Sequence, residues 1–225
     1  MRRAIALVAF ALVVACGTEN VDAAKVLRDG GTAMGRLSTV SATLKLTQGT
    51  VTIEGFRLIS AKTSVRLPAD SDTTYTVKEQ DVSFSLQVVI ASGHTYLHVP
   101  FSRFQEVTGD QAKAFPDMAK LFDPATGLPA VIPQGESPKY VATESVGGQD
   151  CYHVATTYTA GQVHGLLAYL SSSGPVNAHV WVGRSDHLLR KATLEGPFGD
   201  AGAKATVEVT ISAFNGPVTI TSPTP

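Results

Sequence analysis

The chain has 225 residues, with 18 basic and 19 acidic side chains, six histidines and two cysteines. Without the two arginines at its start, 16 basic residues stand against 19 acidic ones, so no basic surplus points to nucleic acid as a partner. Only Cys151 lies beyond the first 16 residues, which excludes a disulfide-rich scaffold, and about two hundred residues are enough for one packed domain.

The first 15 residues have the pattern of an export signal. Arg2 and Arg3 precede an unbroken apolar run from Ala4 to Ala15, and polar residues follow soon after. This run is shorter than the ~20 residues that a permanent transmembrane helix needs. We therefore expect residues 1–15 to be a signal peptide.

The sequence VVAC, which ends at Cys16, resembles a bacterial lipobox, in which the cysteine thiol carries a diacylglycerol. The alternative is a chance cysteine near an ordinary cleavage site, and the position and the following Gly17 favour the lipobox. Cys16 is thus the predicted lipidation site, with residues 16–20 as a tether. The anchored protein would sit on the extracytoplasmic face of the cell membrane.

One helix is predicted over Val21–Leu37, where apolar residues recur every three or four positions, with Gly30-Gly31 expected to weaken or bend it. After Ser38 the period becomes two, which predicts strands. The predicted strands cover 42–47, 59–67, 75–79, 82–90, 95–99, 140–146, 151–159, 178–182, 187–195 and 207–212. Two further helical patterns occupy 111–122 and 161–170.

This order predicts an α+β domain over residues 21–220: a large antiparallel sheet with one dry face, covered by a few helices. Residues 221–225 are predicted to be a flexible tail. Alternation does not decide whether the dry face packs solidly or encloses a cavity. The residues expected to face inward are Leu44, Leu46, Ile59, Ala61, Val65, Val82, Phe84, Leu86, Val88, Ile90, Val207, Val209 and Ile211 from strands, and Phe115, Met118, Leu121, Val163, Leu166, Leu167 and Leu170 from helices.

Motifs for catalysis or metal binding are weak. His94 and His98 would be ~13 Å apart on a strand, too far to share one ion. Asp186-His187 could assist a serine nucleophile, but no Gly-x-Ser-x-Gly turn accompanies the pair. Cys151 fits a buried structural thiol better than a redox group. We expect no enzyme activity, no metal and no cofactor.

Three stretches carry a family resemblance: LFDPATGLPAVI (121–132), VWVGRSDHLLRKATLE (180–195) and the closing FNGPVTITSPTP. They resemble the LppX/LprAFG lipoproteins of mycobacteria and related actinobacteria. The resemblance implies a LolA/LolB-like half-barrel, a bent antiparallel sheet wrapped over helices around a hydrophobic cavity. It also implies binding of multiply acylated lipids or glycolipids, their outward transport across the extracytoplasmic space, and a membrane lipid exporter as a partner.

The apolar face is consistent with such a role. Exposing a methylene group to water costs ~0.8 kcal/mol, so a 16-carbon chain costs on the order of 12 kcal/mol, and a carrier must offer a large apolar surface instead. The resemblance favours the cavity over the filled core. The alternative is a different kind of function: a scaffold or adhesin that binds another protein, with a filled core and a long exposed edge strand.

Overall fold

The computed structural model describes residues 20–166 and 172–224. The predicted signal peptide, Cys16, Leu167 and Leu170 lie outside the described residues. Among the helices within those two ranges, none is long and apolar enough to cross a bilayer.

The described strands form one antiparallel sheet of twelve strands, which confirms the predicted fold class. Its order is β7-β6-β5-β4-β3-β1-β12-β11-β10-β9-β8, with the short β2 paired to β3. Because β1 pairs with β12, the first and last parts of the chain meet in the middle of the sheet. The strands are β1 Thr39–Gln48, β2 Thr52–Ile53, β3 Phe56–Arg66, β4 Asp70–Glu79, β5 Val82–Ala91, β6 His94–His98, β7 Gln105–Val107, β8 Glu136–Val146, β9 Gln149–Tyr158, β10 Val176–Gly183, β11 Leu189–Gly196 and β12 Ala205–Ser212.

Most strands keep the alternation that their sequences predict, and β3 departs from it at one point. Its pairing with β4 shifts between Leu58 and Ser60, so that one extra residue is inserted there. Such a bulge reverses the side on which the preceding residues point. Leu58 is therefore fully buried and Ile59 only partly so, and the prediction that Ile59 faces inward is wrong. The short strands β2 and β7 were not predicted.

The first helix, α1, spans Ala23–Met34, inside the predicted range. Asp22 caps it, accepting a hydrogen bond from the Lys25 backbone N–H at 2.9 Å. The two central glycines do not break the helix but let it approach its neighbour. A Cβ added to Gly31 would lie 2.5 Å from the Pro129 carbonyl oxygen, closer than packed atoms allow.

The single helix predicted over 111–122 is wrong. The chain forms α2, Gly109–Lys113, and a 3₁₀ turn at Lys120–Phe122. Pro116 lies between them; it has no N–H to donate and disfavours helical geometry at Phe115. The apolar side chains of this segment nevertheless remain buried against the sheet.

Two other short helices cover the sheet. α3, Leu128–Val131, was not predicted and runs into a 3₁₀ turn at Ile132–Gln134. α4, Ala160–Leu166, covers the first part of the predicted helix 161–170. These helices, α1 and the 3₁₀ turns lie on the inner face of the sheet, where the large apolar cluster of the protein is found.

The C-terminal segment covers part of the outer face. Val89, Ala91 and Tyr96 form a small apolar cluster with Ile220, against which Val218 packs. The Arg66 guanidinium donates a hydrogen bond to the Ile220 carbonyl at 3.1 Å. The C-terminal segment is thus held against the outside of β5 and β6.

Candidate functional site

An apolar cavity of about 80 Å³ lies on the inner face, between the central strands and the covering segments. Strands from both halves of the sheet contribute to it, which means that the sheet curves around it. Its lining comprises Ala42, Leu44, Ala61, Thr63, Met118, Leu121, Leu128, Val131, Ile132, Tyr158, Val163, Leu166, Val180, Leu189, Ala192, Leu194, Val209 and Ile211.

The cavity brings together eight of the residues predicted to face inward. Four come from strands in the middle of the sheet and four from the segments that cover it. They are Leu44, Ala61, Val209, Ile211, Met118, Leu121, Val163 and Leu166.

Other residues predicted to face inward are not among those lining this cavity. Most are buried or partly buried in the solid packing of the same face: Leu46, Val65, Phe84, Leu86, Val88, Ile90, Phe115 and Val207. Val82 is 67% exposed, so the prediction that it helps to enclose the cavity is wrong. It is the first residue of β5, and β6 ends opposite Gln87, so the start of β5 extends beyond its neighbour.

Sequence reasoning missed ten of the lining residues. Ala42 and Ala192 lie on the predicted strands 42–47 and 187–195, and their alternation with polar neighbours would have found them. Leu128 and Val131 belong to α3, whose four residues are too short for a periodic signal. Small side chains at Ala42, Ala61 and Ala192 leave the space that larger ones would fill.

The polar atoms of the lining are already hydrogen bonded. The Thr63 and Thr73 hydroxyls bond to each other at 2.8 Å. The Tyr158 hydroxyl donates to the Ile132 carbonyl at 3.0 Å, and burial raises the pKa of this phenol well above its usual range, so that it stays protonated. The cavity therefore offers hydrocarbon contacts, without a charge or a free donor from these groups.

The candidate catalytic and metal sites have other roles in the structure. His94 Nδ1 lies 2.7 Å from a Glu106 carboxylate oxygen, and the His98 ring packs beside Phe104. The Asp186 carboxylate pairs with Arg190 and accepts a bond from the Leu188 N–H. Within residues 20–166 and 172–224, no three potential ligand residues come together as a metal site.

A polar cluster on the outer face was not predicted. His153 Nε2 lies 2.7 Å from His179 Nδ1, and the His153 ring stacks on Trp181 at a centroid distance of 4.2 Å. Glu144 accepts a hydrogen bond from Trp181 Nε1 at 2.7 Å, and this bond, with a second from His153, holds the pKa of that carboxyl below its usual range. The cluster satisfies its own polar groups and holds β8, β9 and β10 together.

Cys151 is fully buried, and desolvation raises the pKa of its thiol. Its sulfur lies 3.4 Å from the Gln149 carbonyl, to which it donates. A raised pKa leaves little thiolate at neutral pH, and burial blocks reagents, which agrees with a structural role.

The profile of the LppX_LprAFG lipoprotein family matches residues 22–220, almost the whole domain. This chain belongs to that family. The LprG lipoarabinomannan carrier protein of Mycolicibacterium smegmatis is 24% identical over 231 aligned positions, covering 98% of this chain and 94% of the relative.

Two solved structures share the fold. LprF from Mycobacterium bovis superposes with a TM-score of 0.73 at 18% identity, covering 89% of this chain and 96% of that one. Lipoprotein LppX of Mycobacterium tuberculosis gives 0.63 at 18% identity, covering 88% and 97%. At this identity the likeness establishes a common architecture.

Proposed function

We propose that this family member is an extracytoplasmic carrier that binds acylated lipids or glycolipids by their hydrocarbon chains. The observation that carries the proposal is the lining of the inner cavity. Its eighteen residues are apolar except for Thr63 and the Tyr158 hydroxyl, and both of these have partners within the protein. A site of this chemistry selects hydrocarbon rather than a polar substrate.

The cavity must widen to take its cargo. Pockets that hold even drug-sized ligands span ~300–1,000 Å³, whereas this one measures about 80 Å³. One side of it consists of short helices and turns that carry Met118, Leu128 and Val163. These segments rest on the sheet through side chains and can move outward without breaking its ladder of hydrogen bonds.

The name of the M. smegmatis relative, a lipoarabinomannan carrier, supports a glycolipid as cargo, since the two chains align over nearly their full lengths. Binding several acyl chains at once, and moving them across the extracytoplasmic space to or from a membrane exporter, are the finer parts of the proposal. No catalytic group is assigned, because the cargo leaves chemically unchanged, and the bound lipid is the only small molecule required.

Anchoring is the second part of the proposal. Acylation of Cys16 would hold the domain at the extracytoplasmic face of the cell membrane, and the two chains of a diacylglycerol give the stable binding that one chain does not. Labelling with a fatty-acid analogue should mark the wild-type protein and not Cys16→Ala. An unmarked wild-type protein would contradict this part alone.

The scaffold or adhesin alternative finds less support. The edge strand β8 is long, but its pairing with β9 shifts register near Glu136 and again near Tyr140. Such bulges twist an edge strand and hinder the addition of a strand from a partner.

Mass spectrometry of lipids from the protein purified from its own host tests the carrier directly. We expect acylated lipid in the organic extract of the wild-type protein. The variant to compare is Ala61→Phe, which places a ring in the cavity and should lower the amount of lipid recovered. Equal recovery from both proteins, or none from either, would contradict the proposal.

A further inference from the structure

The loop between β6 and β7, residues 99–104, presents a fully exposed aromatic ring. Phe101 has a relative exposure of 108%, the highest of the large apolar side chains described, and Val99 is 38% exposed. Val82, 67% exposed, lies toward the same end of the sheet, because the antiparallel β6 runs toward the start of β5 and ends opposite Gln87. We call this end, at the start of β5 and the end of β6, the tip rim.

The loop is held in the shape that exposes the ring. The Ser102 hydroxyl donates to the Val99 carbonyl at 2.8 Å, and the Val99 N–H donates to the Ser102 oxygen at 3.2 Å. Phe101 has a φ of +64°, a left-handed conformation that is unfavourable for a bulky residue. Backbone geometry of this kind persists only where surrounding contacts hold it, and it occurs often at functional sites.

Apolar surface continues from the tip rim to the cavity. Along the inner face of β5, Val82 is followed by Phe84, which meets the Phe56 ring edge-on at 5.1 Å, and then by the buried Leu86. Leu86 pairs with Tyr75 of β4, and Tyr75 pairs with Ala61 of β3, which lines the cavity. An acyl chain that enters at this rim therefore meets apolar side chains, and it must displace packed ones, including the fully buried Tyr75, to reach the cavity.

We propose that the tip rim docks on a lipid bilayer, with the Phe101 ring inserted among the acyl chains, and that cargo is exchanged there. This inference rests on the proposed carrier function and adds the surface at which it operates. A bilayer fits better than a protein, because specific protein partners usually bury ~800 Å² on each side, far more than three side chains provide. Phe is also one of the side chains that membrane-surface segments bury at the boundary between headgroups and acyl chains.

The charges near the rim favour a contact that depends on the ring rather than on net charge. Arg103 and Arg57 are exposed and can meet lipid phosphates, while Glu79 and Asp81 on the neighbouring turn oppose an acidic surface. Vesicles of phosphatidylcholine alone should therefore bind nearly as well as vesicles that also contain phosphatidylglycerol.

The test uses the unlipidated chain from Gly17 onward, which contains every described element, because the described fold begins at Asn20. Co-sedimentation with both kinds of vesicle is compared for the wild type, Phe101→Ser and Val141→Ser. Val141 is the matched control, an apolar residue 48% exposed on the edge strand β8. Loss of the Phe101 side chain, which would be buried in the bilayer, should weaken vesicle binding about tenfold or more. The Val141 change should leave vesicle binding unaltered.

A second readout follows the ring position itself. Phe101→Cys can be labelled selectively with an environment-sensitive fluorophore, since Cys151 is buried. We expect a blue shift on adding phosphatidylcholine vesicles, and none for Val141→Cys. Wild-type binding by Phe101→Ser, or binding that needs phosphatidylglycerol and disappears in Arg103→Gln alone, overturns the inference. Cargo recovered from the purified Phe101→Ser protein is measured in parallel, so failure of docking is distinguishable from failure of the carrier function.

Discussion

One region of the inner face is packed solid and another is hollow, although both come from the same alternating pattern. In the packed region, Leu27 and Met34 of α1 are fully buried with Val182 of β10. In the hollow region, around Ala42, Ala61 and Ala192, the cavity remains. Alternation thus specifies which face is apolar, whereas side-chain size and the covering element specify whether that face is filled.

Two local features account for the difference. α1 lies close to α3 because Gly31 has no side chain, and its large residues Leu27 and Met34 are fully buried. The hollow region is covered by shorter segments instead, and three alanines face it from β1, β3 and β11. Short covering segments over small side chains leave a void, whereas protein interiors are otherwise closely packed.

The largest expected effect comes from truncating one buried leucine in each of the two regions. Leu27→Ala should lower the free energy of unfolding by ~2–5 kcal/mol, since it removes packed atoms and leaves a void. Leu44→Ala, at a buried leucine that lines the existing cavity, should fall at or below the low end of that range. Chemical denaturation measures both, and equal losses would mean that the hollow region is as tightly packed as the other.

The next effect comes from enlargement. Val88 is 2% exposed and lies outside the cavity lining, so Val88→Phe should strain solid packing and cost ~1–3 kcal/mol. Ala61→Phe adds more atoms and should nevertheless cost less, because the ring enters space. Thermal unfolding and bound lipid are measured together. A larger stability loss for Ala61→Phe than for Val88→Phe would contradict the assignment of the two regions.

A smaller effect is expected from acid, away from both regions. Asp70 accepts hydrogen bonds from the Arg66 guanidinium at 2.8 and 3.0 Å and from the Ser92 N–H, and the Arg66 bond is the main cause of its lowered pKa. Since the folded pKa lies below the ordinary 3.8, its stabilisation is complete above that value and is lost as pH falls through the folded pKa.

Asp70→Asn tests this at two pH values. The variant should be less stable than the wild type at neutral pH by up to ~1 kcal/mol, as for partly exposed ion pairs. The difference should shrink when the protein is unfolded in acid below the folded pKa. A constant difference across pH would show that packing, and not the charge of Asp70, explains the loss.

The smallest effect on cargo is expected from the histidines. His94, His98, His153 and His187 are not among the residues that line the cavity, so their replacement by Gln should leave bound lipid unchanged. His153→Gln will cost some stability because it breaks the cluster with Glu144 and Trp181. Lost cargo in a variant of unchanged stability would reopen the search for a metal or catalytic site.

Sequence patterns predicted the strands well because alternation is a local property of each strand. They failed where a local exception intervened: the bulge beside Leu58 moved Ile59, and Pro116 divided a helix whose apolar spacing was otherwise regular. They failed for Val82 because exposure at a strand end depends on the length of the neighbouring strand.

The apolar face, the first helix and the lack of a recognisable catalytic motif could be predicted from the sequence, because each depends on residues near one another in the chain. That Ala42, Ala61 and Ala192 meet around one cavity is a property of the tertiary structure. So is the position of the exposed Phe101 and Val82 toward the same end of β5. These juxtapositions arise from strand pairing between distant segments, with β1 beside β12 at the centre of the sheet, and pairing of that kind leaves no periodic trace in the sequence.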